Sequence, residues 1–235
     1  MKTCSLLTAL CLIFSILFAK SNCLFNASAN QKNICKKFTA RYWNPLPNSI
    51  VKRIIGKSWN ANCPVPLEDL AYIKITHWNY NNEICIGELI YHKNLALEII
   101  EIFQELFEAK FPINKMILID DYDASDELSM KDNNSSAFCS RTVTGKPGIF
   151  SNHSYGGTID INPVVNPYIR DKIVLPKGSE VYLDRNKKTK GLIHEDDACY
   201  QAFIKRGYTW GGHFVNLKDY QHFEKNPFKN EGTSN

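Results

Sequence analysis

The sequence predicts an α+β fold, an antiparallel sheet flanked by helices, and three observations lead there. From Tyr72 to Tyr80 apolar and polar residues mix in strand fashion, and Ile84 to Tyr91 repeats the pattern after Asn81-Asn82, which suits a hairpin turn. Leu95, Ile99, Phe103, Leu106 and Phe107 then recur at helical spacing, a stripe that reads as core. Farther on, strand alternation resumes near Thr158, and a segment from Glu195 to Arg206 has acids at its start, bases at its end and Gly207 as a stop, the marks of a short helix.

The first element is not part of the fold. MKTCSLLTALCLIFSILFAKSNC has a basic start, an apolar run from Leu6 to Ala19 and small residues ahead of a cut, with Ala19 and Ser21 at suitable positions. The run is short for a membrane span, so residues 1–21 read as a secretory signal and the mature chain as exported, with no stable span once the signal is removed. Cys23 raises a lipoprotein reading, which Lys20 and Asn22, poor residues ahead of a lipidated cysteine, argue against. Of the eight cysteines, Cys23, Cys35, Cys63, Cys85, Cys139 and Cys199 remain after the signal. That even number suggests disulfides in an oxidising compartment, with buried free thiols as the alternative.

Residues 22–64 carry Asn, Lys, Pro and Trp without sustained periodicity and read as an extension wrapped on a domain of residues 65–235. After the hairpin, Asn94 can cap a helix reaching about Lys110, and Met116 to Tyr122 reads as a buried strand. Asp120, Asp121, Asp123 and Asp126 follow in a loop that lacks the glycine a calcium site needs at its turn, leaving a solvated loop beside a cleft as the expectation. No internal repeat is visible, and the formal charge of +4, part of it in the signal, makes no electrostatic case for nucleic acid. His77, His92 and His194 have no motif around them and read as structural or surface residues.

Two short stretches carry the chemistry. In SNHSYGGTIDINP, Ser151 to Pro163, His153 and Asp160 stand seven residues apart across Gly156 and Gly157; in KDYQHFE, Lys218 to Glu224, Asp219 precedes His222 by three. The glycines place His153 on a turn and Asp160 on the strand from Thr158, with Ile159 and Ile161 turned to the core and Asp160 to the opposite face. Asp219 and His222 need a bend between them to share a face. Catalytic zinc takes three ligands from neutral imidazole and carboxylate and leaves a fourth position to water, and a further carboxylate can carry the proton. On spacing alone, a metal site and ordinary polar surface residues both remain open.

The surrounding words resemble the zinc D,D-peptidase family, whose motif Ser-x-His-x-x-Gly-x-Ala-x-Asp is followed far downstream by Asp/Glu-x-x-His. Ser151, His153, Gly156 and Asp160 match its first part, and Asp219 and His222 its second. The chain is similar to the branch of D-alanyl-D-alanine carboxypeptidases and L-alanyl-D-glutamate endolysins through GELIYHKNLA, FPINKMILIDDY, NNSSAFCSR, INPVVNPY and GYTWGGHF, over roughly residues 65 to 225. Thr158 replaces the family's Ala, and Trp210-Gly211-Gly212-His213-Phe214 replaces Trp-Gly-Gly-Asp-Trp.

The resemblance implies the fold shared with the hedgehog signalling domain and a Zn2+ ion held by His153, Asp160 and His222. It further implies Asp219 as the base and Arg141 as the group that polarises the carbonyl. Ser151, Tyr155 and Trp210 are weaker candidates for the pocket wall, and His213 reads as a group supporting the ligands from behind, with a competing ligand and a surface residue as the alternatives. The implied substrate is a peptidoglycan peptide, met in the periplasm or outside the cell. The bond cut is the D-alanyl-D-alanine or the L-alanyl-D-glutamate one. A degenerate domain that holds zinc and only binds peptidoglycan is the reading outside enzymes, and the sequence does not give the oligomeric state.

Overall fold

The computed structural model describes residues 37–143 and 146–228, so the expected export signal and Cys4, Cys11, Cys23 and Cys35 lie outside the described residues. A three-stranded antiparallel sheet carries the first half: β1 (Ala40–Trp43), β2 (Leu70–Trp78) and β3 (Ile84–His92), in that order. β2 and β3 form the expected hairpin, in register from Leu70 opposite His92 to Trp78 opposite Ile84. The turn between them is built by asparagine. The Asn79 side-chain oxygen accepts from the amides of Asn81 and Glu83, and Asn82 takes a φ of 58°, a left-handed conformation that Asn tolerates.

The stretch before residue 65, read as lacking periodicity, supplies β1 and the helix α1 (Asn48–Ile54). Both are too short for a hydrophobic period to register, and their stability comes from tertiary contacts. β1 pairs with Tyr72 to Ile75 of β2, while Ile50 and Ile54 of α1 pack with Leu46, Val65, Leu70 and Phe138 in a core of their own.

Helix α2 (Ala96–Glu108) follows the predicted stripe and buries Ile99, Ile102, Phe103 and Leu106 in the main core. Its start differs from expectation. A 3-10 turn over Lys93–Leu95 precedes it, and the His92 Nδ1, not the Asn94 side chain, takes the free amide, that of Asn94, at 3.3 Å.

The strand expected from Met116 to Tyr122 is absent. Asn134 satisfies that backbone instead, its side chain accepting from Ile117 N at 2.9 Å and donating to Ile117 O at 3.1 Å, and a 3-10 turn over Ile119–Tyr122 comes next. The acidic loop beyond is not free in solvent either. Asp120 is buried and accepts from the amide and hydroxyl of Ser58, Asp121 pairs with Arg53, and Asp123 lies 2.7 Å from Lys57. Asp126 opens α3 (Asp126–Lys131), capped by the Ser125 hydroxyl.

The second half is a set of small antiparallel sheets. β4 (Thr142–Val143) pairs with β5 (Lys146–Phe150). β6 (Thr158–Asp160), β7 (Tyr168–Arg170) and β8 (Ile173–Leu175) precede α4 (Ala198–Ile204), and β9 (Thr209–Trp210), β10 (Lys218–Asp219) and β11 (His222–Glu224) follow it. One sheet runs β10-β7-β8 and another β6-β11-β9. α4 is shorter than the predicted segment because Asp197 caps it, accepting from Tyr200 N at 2.8 Å, and Gly207 ends the turn after it at a φ of 77°. Phe203 of α4 stacks on Phe223 of β11 with ring centroids 4.2 Å apart, which fixes β11 against the core. The α+β class is thus the observed one.

Cys63, Cys85, Cys139 and Cys199 are all free thiols, so among the described residues no disulfide appears. Burial pushes the Cys139 thiol up to about 12 and that of Cys199 well above its usual value, which suits inert core residues. No helix of the described residues is long and apolar enough to cross a membrane.

Candidate metal centre

His153 lies on a 3-10 turn over Asn152–Tyr155 that Gly156 closes at a φ of 71°. A Cβ at Gly156 would also stand 2.8 Å from the His92 amide nitrogen, so both the backbone angle and the close approach demand glycine. The His153 Nδ1 donates to Ala137 O at 2.6 Å, which leaves Nε2 as the lone-pair nitrogen facing inward. Asp160 ends β6, with Ile159 and Ile161 buried to either side as alternation requires. His222 opens β11 directly opposite Asp160 in the ladder.

These three side chains converge. The Asp160 carboxylate is 3.1 Å from His153 Nε2 through one oxygen and 3.0 Å from His222 Nδ1 through the other. One ligand atom from each of the three residues lies within 4.8 Å of the other two, and all three residues are buried. Zinc bonds of 2.0 to 2.2 Å put tetrahedral ligand atoms about 3.4 Å apart, so a small inward adjustment suffices for this nitrogen, oxygen, nitrogen set to fit a zinc ion. A buried carboxylate flanked by two imidazoles is also costly to leave uncompensated.

Asp219 stands just outside that set. It ends β10, which pairs with β7, whereas His222 belongs to β11, which pairs with β6; the chain changes sheets at Tyr220 and Gln221, and this is the bend the three-residue spacing required. Its Oδ2 lies 3.9 Å from His222 Nδ1, and its Oδ1 is buried without a hydrogen-bond partner. Gly211 makes room for it, since a Cβ there would come within 2.5 Å of the Asp219 carbonyl oxygen. That gives the Trp-Gly-Gly word a steric reason.

The charges of the centre follow from burial and neighbours. Burial pushes the Asp219 carboxyl up to about 7, and the negative Asp160 adds to the effect. Burial would raise Asp160 as well, but His153 and His222 outweigh it and hold its carboxyl well below the usual range. Burial works against a charged His222, yet the hydrogen bonds to Asp160 and Glu224 prevail and lift its pKa well above the usual value.

Around these groups is a cleft of about 460 Å³, of a size suited to a short peptide, with Arg141, Lys146, Ser151, Tyr168, Arg170 and Phe214 in its lining. Arg141 is held there by Asp126, Nη2 to Oδ2 at 2.8 Å, and its Nε is buried without a partner. Ser151 lines the cleft, and Tyr155 and Trp210 do not. Tyr155 packs edge-on to Phe228 at 6.3 Å, and Trp210 is buried in the main core with its Nε1 donating to Tyr220 O. His213 has its contacts with Glu195 at 3.3 Å and with the rings of Tyr200 and Trp210, not with the three ligand candidates.

Two residues at the centre escaped the sequence reading. Glu224 Oε2 lies 2.9 Å from His222 Nε2, and Asn152 donates its side-chain amide to that same oxygen. The signal was present, because residues two apart on a strand share a face and Glu224 follows His222 by two. No curated protein and no solved structure matches the chain. Residues 144–225, about a third of the chain, match the family model described as D-alanyl-D-alanine carboxypeptidase, and this segment holds every motif position from Ser151 to His222.

Proposed function

We propose that the chain is a zinc metallopeptidase that hydrolyses an amide bond in bacterial cell-wall peptides, the terminal D-alanyl-D-alanine bond in the first instance. The observation that carries this reading is the convergence of His153 Nε2, the Asp160 carboxylate and His222 Nδ1 at the floor of a cleft, with the separate Asp219 carboxylate 3.9 Å from His222. Zinc held by those three residues supplies a Lewis acid that polarises a carbonyl and acidifies water. The chain's own groups do the rest. Asp219 accepts the proton of the attacking water and delivers it to the leaving amine nitrogen as the carbon–nitrogen bond breaks, so that acid and amine products result. Arg141, oriented by Asp126, sets positive charge against the carbonyl oxygen as negative charge grows on it. Ser151, Tyr168 and Phe214 supply the wall that orients the peptide.

Residues 1–21 act in this reading as the export signal, and residues 65–235 as the catalytic domain with 22–64 packed on it, which brings the enzyme to wall peptides in the periplasm or outside the cell. The test is a digest of purified peptidoglycan and of defined stem peptides, analysed by mass spectrometry. Release of free D-alanine is expected. Fragments that begin at D-glutamate would move the cut to the L-alanyl-D-glutamate bond, and unchanged peptides from a zinc-loaded protein would leave only a binding domain.

The Arg141 role makes a separate prediction. Removing one preorganised oxyanion donor costs about 100- to 1000-fold in turnover, so Arg141→Ala should lose that much in kcat while keeping its zinc. A variant with wild-type kcat would reduce Arg141 to the structural partner of Asp126.

A further inference from the structure

Metal ligation by histidine requires one ring nitrogen to be bare and the other to carry the hydrogen, and a hydrogen-bond acceptor on the far nitrogen decides which is which. For His153 that acceptor is a backbone carbonyl, Ala137 O, which no side-chain substitution removes. Among the described residues His222 has no such carbonyl: its Nδ1 faces Asp160 and its Nε2 faces Glu224 Oε2 at 2.9 Å, so the hydrogen-bonding groups on its two nitrogens are carboxylates. Left to Asp160 alone, the ring could place its hydrogen on Nδ1, which points into the centre and would block it.

Glu224 is itself held in place. It belongs to β11, paired opposite Thr158 of β6, and Asn152, the residue before His153, donates its Nδ2–H to the same Oε2 that meets His222. The amide of Asn152 thus connects the turn carrying one imidazole to the carboxylate that orients the other. Glu224 is more than half buried, and it also lines the cleft.

We infer that Glu224 is the positioning residue of the centre: with Asn152 it fixes the Nε2–H form of His222, aims Nδ1 at the shared position beside Asp160, and so sets the affinity for the metal. It does not exchange a proton with the substrate. The inference rests on the proposed ligand set, and it adds a carboxylate-histidine-metal relay that the motif Asp-x-x-His does not specify.

The test is competition between the purified protein and a chromophoric zinc chelator, with wild type, His222→Ala, Glu224→Gln, Glu224→Asp and Asn152→Ala compared at one pH. Loss of such a supporting partner typically weakens metal affinity about 10- to 100-fold. Glu224→Gln is expected within that range, Asn152→Ala should show a smaller loss, and Glu224→Asp should fall between wild type and Gln. Zinc affinity separates the two roles where melting temperature does not: losing the hydrogen bond that lifts the His222 pKa also lowers the stability of the metal-free protein, whereas a residue needed only for packing would lower stability and leave zinc affinity unchanged.

Wild-type zinc affinity in Glu224→Gln, alongside zinc loss in His222→Ala, overturns the inference and leaves the metal centre standing. Full zinc retention in His222→Ala brings down the ligand set and this inference with it. Wild-type affinity combined with lost turnover at saturating zinc would also overturn it, by making Glu224 a catalytic acid or base. Asn152→Ala guards against a folding failure of the Glu224 variants, because it loosens the carboxylate without removing it.

Discussion

His153→Ala, His222→Ala and Asp160→Asn should each strip the protein of zinc and abolish hydrolysis of wall peptides, where the wild type should carry about one zinc per chain. The three changes remove different donors and need not be equal. Each imidazole lost leaves two ligands, too few for a closed site, whereas Asp160→Asn keeps the shape and removes the negative charge that touches both rings. Metal analysis after gel filtration measures the content directly. Retention of full zinc by both histidine variants would show that the ligands lie elsewhere.

The charges around the site add a pH dependence to that measurement. His222 has its pKa raised in the metal-free protein, so zinc must displace a proton from it, and apparent affinity should fall as pH drops below that raised pKa. Asp160 has the opposite sign. Its depressed carboxyl contributes stability that is present above the ordinary carboxylate range and is lost as pH falls through its own lower value.

What the sequence made legible were the features with a period or a fixed spacing. The β2–β3 hairpin, the α2 stripe and the placement of His153 on a turn and Asp160 on a strand all depend on local patterns of a few residues. The failures have one cause in common, which is backbone satisfied by partners far away in sequence. Met116 to Tyr122 has the apolar content of a strand, but Asn134 and the 3-10 turn take its hydrogen bonds. β1 and α1 lack any readable period because β2 and the second core cluster stabilise them. The acidic loop looked solvated since Ser58, Arg53 and Lys57 stand more than sixty residues away.

The same holds at the centre. His153, Asp160, Asp219 and His222 were visible through the motif, and their convergence depends on two ladder registers that no spacing encodes. An aromatic beside a glycine pair suits a pocket wall as well as it suits a core, so the sequence alone did not place Trp210. Its hydrogen bond to Tyr220 O puts it in the core, where it supports the bend that carries Asp219 and His222. Glu224 needed only the strand period, applied one step beyond the motif.

Asp219→Asn separates metal binding from catalysis more sharply than any other change. The amide is nearly isosteric, Asp219 is not among the three converging ligands, and its Oδ1 has no hydrogen bond to lose, so zinc content should stay at the wild-type level. Loss of a general base typically lowers rates about 100- to 10,000-fold, and turnover on wall peptides should fall within that range. The wild-type rate should rise with pH through the pKa of Asp219, since only the carboxylate accepts a proton. In the metal-free protein that value is about 7, and a bound dication, favouring the carboxylate, would bring it lower. The substitution should abolish this limb of the profile. It should also spare stability: a carboxyl whose folded pKa is raised costs stability as pH climbs from the ordinary carboxylate range toward 7, so the metal-free variant should unfold at neutral pH no more easily than wild type. Hydrolysis by Asp219→Asn at the wild-type rate, with zinc in place, would remove Asp219 from the mechanism and leave Glu224 or another acid to be tested as the base.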